Sequence, residues 1–132
     1  MSVTSVPIRP RRVEPVLLDR LRERFPDVAF ASLRGRDNPT RECVLVADPQ
    51  QRATPVTQYV RVRVSVWVRR DDGTGDIAEA QRLASDIEHA LTSTSPPAPL
   101  VGIDHESGPI RTTDDQGTLF AYLVLLTTVI SI

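Results

Sequence analysis

The sequence has no lysine: all sixteen of its basic residues are arginine. It has a single cysteine, Cys43, which excludes an intramolecular disulfide and a thiolate metal cluster. Nothing in the cysteine content calls for an oxidising compartment, so the cytoplasm is the expected setting. Aromatic residues are scarce, with one Trp, two Tyr and three Phe, which leaves few platforms for stacking nucleic-acid bases. No apolar run reaches the roughly 18 residues of a membrane span, and no apolar leader follows the start. The nearest candidate, residues 119–132, is broken by Thr127, Thr128 and Ser131. The net charge is only -1, so attraction of the whole molecule to nucleic acid or to an acidic membrane is not expected.

What is present is the makings of one domain. The chain has 132 residues, enough for a single hydrophobic core and too few for two. Eleven prolines gather near the N-terminus, at Pro55 and in Ser95-Pro96-Pro97-Ala98-Pro99, and read as stiff connections. Residues 1–13 lack periodicity and carry Arg9, Arg11 and Arg12, which predicts an arm lying against a neighbouring subunit or partner. Residues 14–132 form the domain. Leu17, Leu18, Leu21 and Phe25 follow Pro15 at helical spacing, and Pro26 ends that helix. Residues 28–33 and 43–46 read as short strands, the second closed by Asp48-Pro49.

The strongest pattern is residues 59–68, where Val60, Val62, Val64, Val66 and Val68 alternate with Tyr59, Arg61, Arg63, Ser65 and Trp67. Period two predicts a long strand with a valine face on the core and a cationic, aromatic opposite face. After the turn Asp71-Asp72-Gly73-Thr74-Gly75, Asp76 and Glu79 resemble a capping box. Ile77, Ala80, Leu83, Ala84, Ile87 and Leu91 then mark the apolar stripe of a second helix. Residues 100–103 read as a strand and 104–117 as a polar loop. Residues 119–130 read as a strand apolar on both sides, which implies cover from helix, sheet or a neighbouring subunit. The order predicts an α+β fold, a mixed and mainly antiparallel sheet with both helices on one face. Val60, Val62, Val64, Val66, Leu83, Ile87, Leu123 and Leu125 are its expected core.

Chemistry is hard to find. In Asp104-His105-Glu106 an imidazole sits between two carboxylates, but neighbours in an extended segment point to opposite sides and cannot share one ion. His89 lies late in the second helix, where a cation suits the negative end of the dipole. Gly73-Thr74-Gly75 matches neither a Walker loop nor a dinucleotide fingerprint, and its Asp-rich turn lacks calcium-loop spacing. Cys43 adjoins Val44-Leu45-Val46, as a small buried residue would. No catalytic, cofactor-binding or metal-binding residue is assigned, and no enzyme activity is expected.

The order of features does have a counterpart. Pro15-Val16-Leu17-Leu18, then Val44-Leu45-Val46-Ala47-Asp48-Pro49, the alternating strand from Tyr59 to Trp67, Asp76-Ile77-Ala78-Glu79-Ala80, Gly108-Pro109 and a terminal apolar strand resemble the tail-terminator (tail-completion) proteins of siphophages, actinobacteriophage type. The likeness covers roughly residues 14–132 and lies in element order and loose pattern. It departs after the second strand, where relatives often carry paired glycines and this chain has Pro49-Gln50-Gln51-Arg52.

The resemblance implies a virion protein, assembled in the host cytoplasm. It would form a homo-oligomeric ring, typically hexameric, that caps the tail-tube protein, ends its polymerisation and joins it to head-completion or neck proteins. Genomic DNA would only pass through the lumen, and no cofactor or membrane is involved. Competing readings are a head–tail connector ring, a small-molecule-binding α+β module, and a nucleic-acid binder suggested by Arg61, Arg63, Arg69 and Arg70. Tyr59, Arg61, Arg63 and Trp67, with Arg9, Arg11 and Arg12, are the expected contacts between subunits or rings. The plainer reading of the strand face is a solvated surface.

Overall fold

Alternating valines build the middle of the sheet. In the computed structural model, which describes residues 12–35 and 37–130, the long strand β3 (Thr57–Val68) follows α1 (Glu14–Arg24), β1 (Ala29–Ala31) and β2 (Arg41–Thr54). The helix α2 (Ile77–Thr92) and strands β4 (Leu100–Thr113) and β5 (Leu119–Ile130) complete the chain. The five strands lie in the order β1-β2-β3-β5-β4. Only the β1–β2 pair is parallel; the other three pairings are antiparallel. The fold is α+β, with a mixed and mostly antiparallel sheet.

Register explains the core. Val62 pairs with Leu125 and Val64 with Leu123, so the valine face of β3 and one side of β5 form a continuous apolar layer. All eight expected core residues are buried. Covering that layer is α2, whose Ala80, Leu83, Ala84, Ile87 and Leu91 are buried; the alanines let its backbone approach β3, β4 and β5 closely. Asp76 caps α2, its side chain accepting from the Glu79 amide at 3.3 Å. The helix α1 packs on β1 and β2 through Leu17, Leu18 and Leu21. Val13, counted with the arm on sequence grounds, is itself buried at the helix cap. The one buried hydroxyl of β5, Thr127, donates to the Val60 carbonyl at 2.7 Å, so burying it leaves no unmet polar group.

Two segments differ from the expectation. Asp48-Pro49 does not close β2, which continues to Thr54 and pairs Pro49 with Val60. The Ala47 amide donates outward to the Glu14 carboxylate. Pro49, two residues on, shares that orientation, so its missing N–H falls on the unpaired side of the strand. Residues 104–117 are not a loop either. β4 runs to Thr113, and only a tight turn remains, with the Gly117 amide donating to the Asp114 carbonyl. The polarity that suggests a loop belongs to an edge strand, whose outer side faces water. β4 is also irregular, shifting register at Leu100/Gly102, His105/Ser107 and Ser107/Ile110. At Gly108, φ is +89° and a Cβ would strike the backbone of Tyr122 and Leu123, so only glycine fits that close approach.

Candidate assembly interface

The helices cover one side of the sheet and leave the other open. Strand alternation puts Tyr59, Arg61, Arg63, Ser65 and Trp67 of β3 on that open face. They lie beside Phe120, Tyr122, Val124, Leu126 and Thr128 of β5 and beside Val44, Val46 and Asp48 of β2. β4 contributes Asp104, opposite Leu126, and Ile110, opposite Tyr122. Val46 and Ile110 are 43% and 41% exposed, so large apolar side chains stand uncovered among charges.

The open face has two halves of different character. At one end Trp67 is 5% exposed and stacks on Phe120 with ring centroids 4.4 Å apart. Its Nε1 donates to Asp114 Oδ2 at 3.1 Å, and the Arg34 guanidinium lies over the ring at 4.9 Å. Burial alone would raise the Asp114 carboxyl. The amides of Thr118 and Gln116, Trp67 Nε1 and the nearby Arg34 outweigh it and hold the carboxyl below its ordinary value. Trp67 is therefore part of a closed cluster and is not an available anchor for a partner. Next to it, Glu42 and Arg69 form a buried ion pair at 3.0 Å. The second Glu42 oxygen accepts from the Gly35 amide, and Arg69 also donates to the Pro39 carbonyl.

The other half is exposed. Arg61 makes a two-point contact with Glu106 of β4, Nε to Oε2 at 2.7 Å and Nη2 to Oε1 at 2.9 Å. Those hydrogen bonds hold the Glu106 carboxyl below its ordinary value and the Arg61 guanidinium above its own. Arg63 lies over the Tyr122 ring at 4.2 Å. Tyr59 is half-buried.

The structure thus brings Tyr59, Arg61 and Arg63 together on an open surface and buries Trp67 at its end. Arg12, exposed beside Glu14 at 3.4 Å, lies near α1 and away from this face, while Arg9 and Arg11 lie outside the described residues. Sequence reading missed the acidic members, Asp104 and Glu106. The signal for them was the polar stretch after Ile103, which as an edge strand must place alternate side chains on the sheet surface.

Glu106 and His105 do not turn to a common point. Glu106 turns to Arg61, while His105 Nε2 lies 2.8 Å from the Gly108 carbonyl oxygen. Among the described residues no cluster of three or more His, Cys, Asp or Glu could hold a metal ion. Burial pushes the Cys43 thiol strongly up, and the Glu42 charge adds to it, which keeps Cys43 protonated and unreactive. An open groove of about 480 Å³ between α1 and α2, lined by Arg20, Leu21, Ala90 and Thr94 among others, has its Arg20 already turned to the Ser95 carbonyl at 2.6 Å. Among the described residues no helix is long and apolar enough to cross a membrane. No protein-family model matches the sequence, and neither does any curated protein.

Proposed function

We propose that this chain is a structural assembly subunit, a tail-terminator protein of a long-tailed phage. In this reading it forms a homo-oligomeric, hexameric ring on the end of the tail tube, stops tube growth and joins it to head-completion or neck proteins. The observation that carries the reading is the uncovered half of the sheet, where Val46, Ile110, Val124 and Leu126 share a surface with Arg61 and Arg63. Arginine is enriched at interface anchors, and the uncovered apolar side chains beside it offer area that a partner would bury. A ring with DNA passing through its lumen needs neither a cofactor nor a catalytic residue, and its partners are further copies of itself, tube protein and neck protein.

The test is direct. Purified chain added to polymerising tail-tube protein should shorten the tubes and appear as a ring at their ends by electron microscopy. The Arg61→Glu/Arg63→Glu variant should melt within about 1 kcal/mol of the parent, because exposed ion pairs contribute little, yet fail to cap. Full-length tubes in the presence of excess parent chain would refute the proposal.

A further inference from the structure

The open face divides its charge across an apolar spine. Val124 and Leu126 of β5 run down the middle, half-buried. On the β3 flank stand Arg61 and Arg63; on the β4 flank stand Asp104 and Glu106. Arg61 and Glu106 satisfy each other. Among the described residues Arg63 has a ring beneath it but no carboxylate partner, and Asp104 has no cationic one.

We propose that this face closes on a second copy of the chain about a two-fold axis running along β5. Rotation about that axis lays β5 on β5 and β3 of each copy over β4 of the other. Because the axis is parallel to the strands, each lateral row stays in register. Arg61, Leu126 and Asp104 form one row, and Arg63, Val124 and Ser107 the next. Arg61 therefore faces Asp104 of the second copy, and Arg63 faces Ser107 and the adjoining bulged Glu106. Leu126 and Val124 meet their own counterparts.

Two other two-folds fail on the same layout. An axis between β3 and β5 sets Arg61 and Arg63 over Leu126 and Val124 and places Asp48 against Asp104. An axis across the strands lays the arginine flank on itself, and like charges so juxtaposed oppose association. Size agrees with a reversible pair. Three overlapping strands, of which β5 has 12 residues, give a footprint of roughly 600 Å² per copy from strand rise and spacing. That sits at the lower end of stable interfaces, where a micromolar dimer is expected. A two-fold pair is closed and builds no ring by itself; it takes up the face that the tail-terminator reading gives to assembly contacts, so the pair is the form of the free chain and must open before a ring forms.

Sedimentation of the full chain up to about 100 µM, a range suited to micromolar affinity, should show a monomer–dimer equilibrium. Arg63→Glu should weaken it at least about tenfold, and Arg63→Glu/Ser107→Arg, which sets an arginine opposite the new glutamate, should restore it. Adding Ser85→Arg on α2 instead should not. Val124→Cys should be linked to its own copy by a short bis-maleimide, because a residue on the axis faces its counterpart across a sheet separation of roughly 10 Å, too wide for a direct disulfide, whereas Ala78→Cys on α2 should not. A monomer throughout that range, a Val124→Cys chain that the reagent does not link to its copy, or a Ser107→Arg substitution that fails to restore association to Arg63→Glu would each overturn the two-fold. Tube capping separates the proposals: capping by a chain that never pairs removes only the dimer, and pairing by a chain that never caps removes only the terminator function.

Discussion

Replacing Glu42 with Gln would remove one charge from a pair that the fold has almost entirely taken out of water. The Glu42 and Arg69 side chains are 3% and 6% exposed and meet at 3.0 Å. Glu42 also anchors the Gly35 amide, so the pair ties the segment before β2 to the end of β3. Gln keeps the shape and one acceptor, but the Arg69 guanidinium is then left buried without a counter-charge. Breaking such a pair from one side costs about 3 to 5 kcal/mol, a large share of the roughly 5 to 15 kcal/mol by which domains are stable. With a urea slope of about 2 kcal/mol/M, the midpoint should fall by roughly 1.5 to 2.5 M. The paired replacement Glu42→Met/Arg69→Leu should recover most of that loss, since apolar groups of similar volume carry no desolvation penalty. A Glu42→Gln midpoint within about 0.5 M of the parent at the same slope would show that water reaches the pair and that the burial argument is wrong.

Three further outcomes are expected. Val64→Asp would place an unpaired carboxylate between β5 and α2, where Val64 is fully buried, and should abolish folding; a soluble variant with a cooperative melt would mean the faces of β3 are reversed. Asp114→Asn should destabilise by roughly 2 to 4 kcal/mol, because the Trp67 indole and the turn amides lose a charged acceptor, read as a lower urea midpoint and increased Trp67 solvent exposure in fluorescence. Since the folded Asp114 carboxyl titrates below its ordinary value of 3.8, its contribution is complete above that pH and is lost as pH falls through the lower folded value. Acid unfolding of the parent should therefore flatten in the Asn variant. Gly75→Ala would drive a Cβ into the Leu119 carbonyl and should lower the melting temperature by several degrees, about 4 per kcal/mol for a domain of this size.

How legible the molecule was depended on whether a residue's role was local. The period-two run to Trp67, the Asp76 cap and the α2 stripe declare themselves because each answers to neighbours within a few positions. β2 beyond Pro49 and β4 beyond Ile103 did not, because their strand character comes from pairing with Val60 and with Leu126, partners distant in sequence. The same limit applied to the candidate site. Arg61 and Arg63 were visible as members of an alternating strand, while Glu106, whose carboxylate reaches Arg61 across 45 positions, looked like part of a loop. Trp67 looked like an exposed anchor because its alternation matched that of the arginines. Only the approach of Phe120 and Asp114 turns it inward.

The distribution of irregularity over the sheet bears on the proposed association. Both edges are poor templates for strand addition. β4 shifts register three times and carries Pro109. β1 covers β2 only from Glu42 to Val44, and the remainder of β2 holds Pro49 and two register shifts. Bulges, prolines and charges at edges oppose edge-to-edge pairing. The interior strands show the contrary: the β3–β5 pairing runs without a break from Thr57 to Val66. Regular, rigid backbone thus lies under the open face and irregular backbone at its margins. A surface that must present fixed side chains to a partner needs support of the first kind, so the layout supports the proposed association through the face over pairing at the edges.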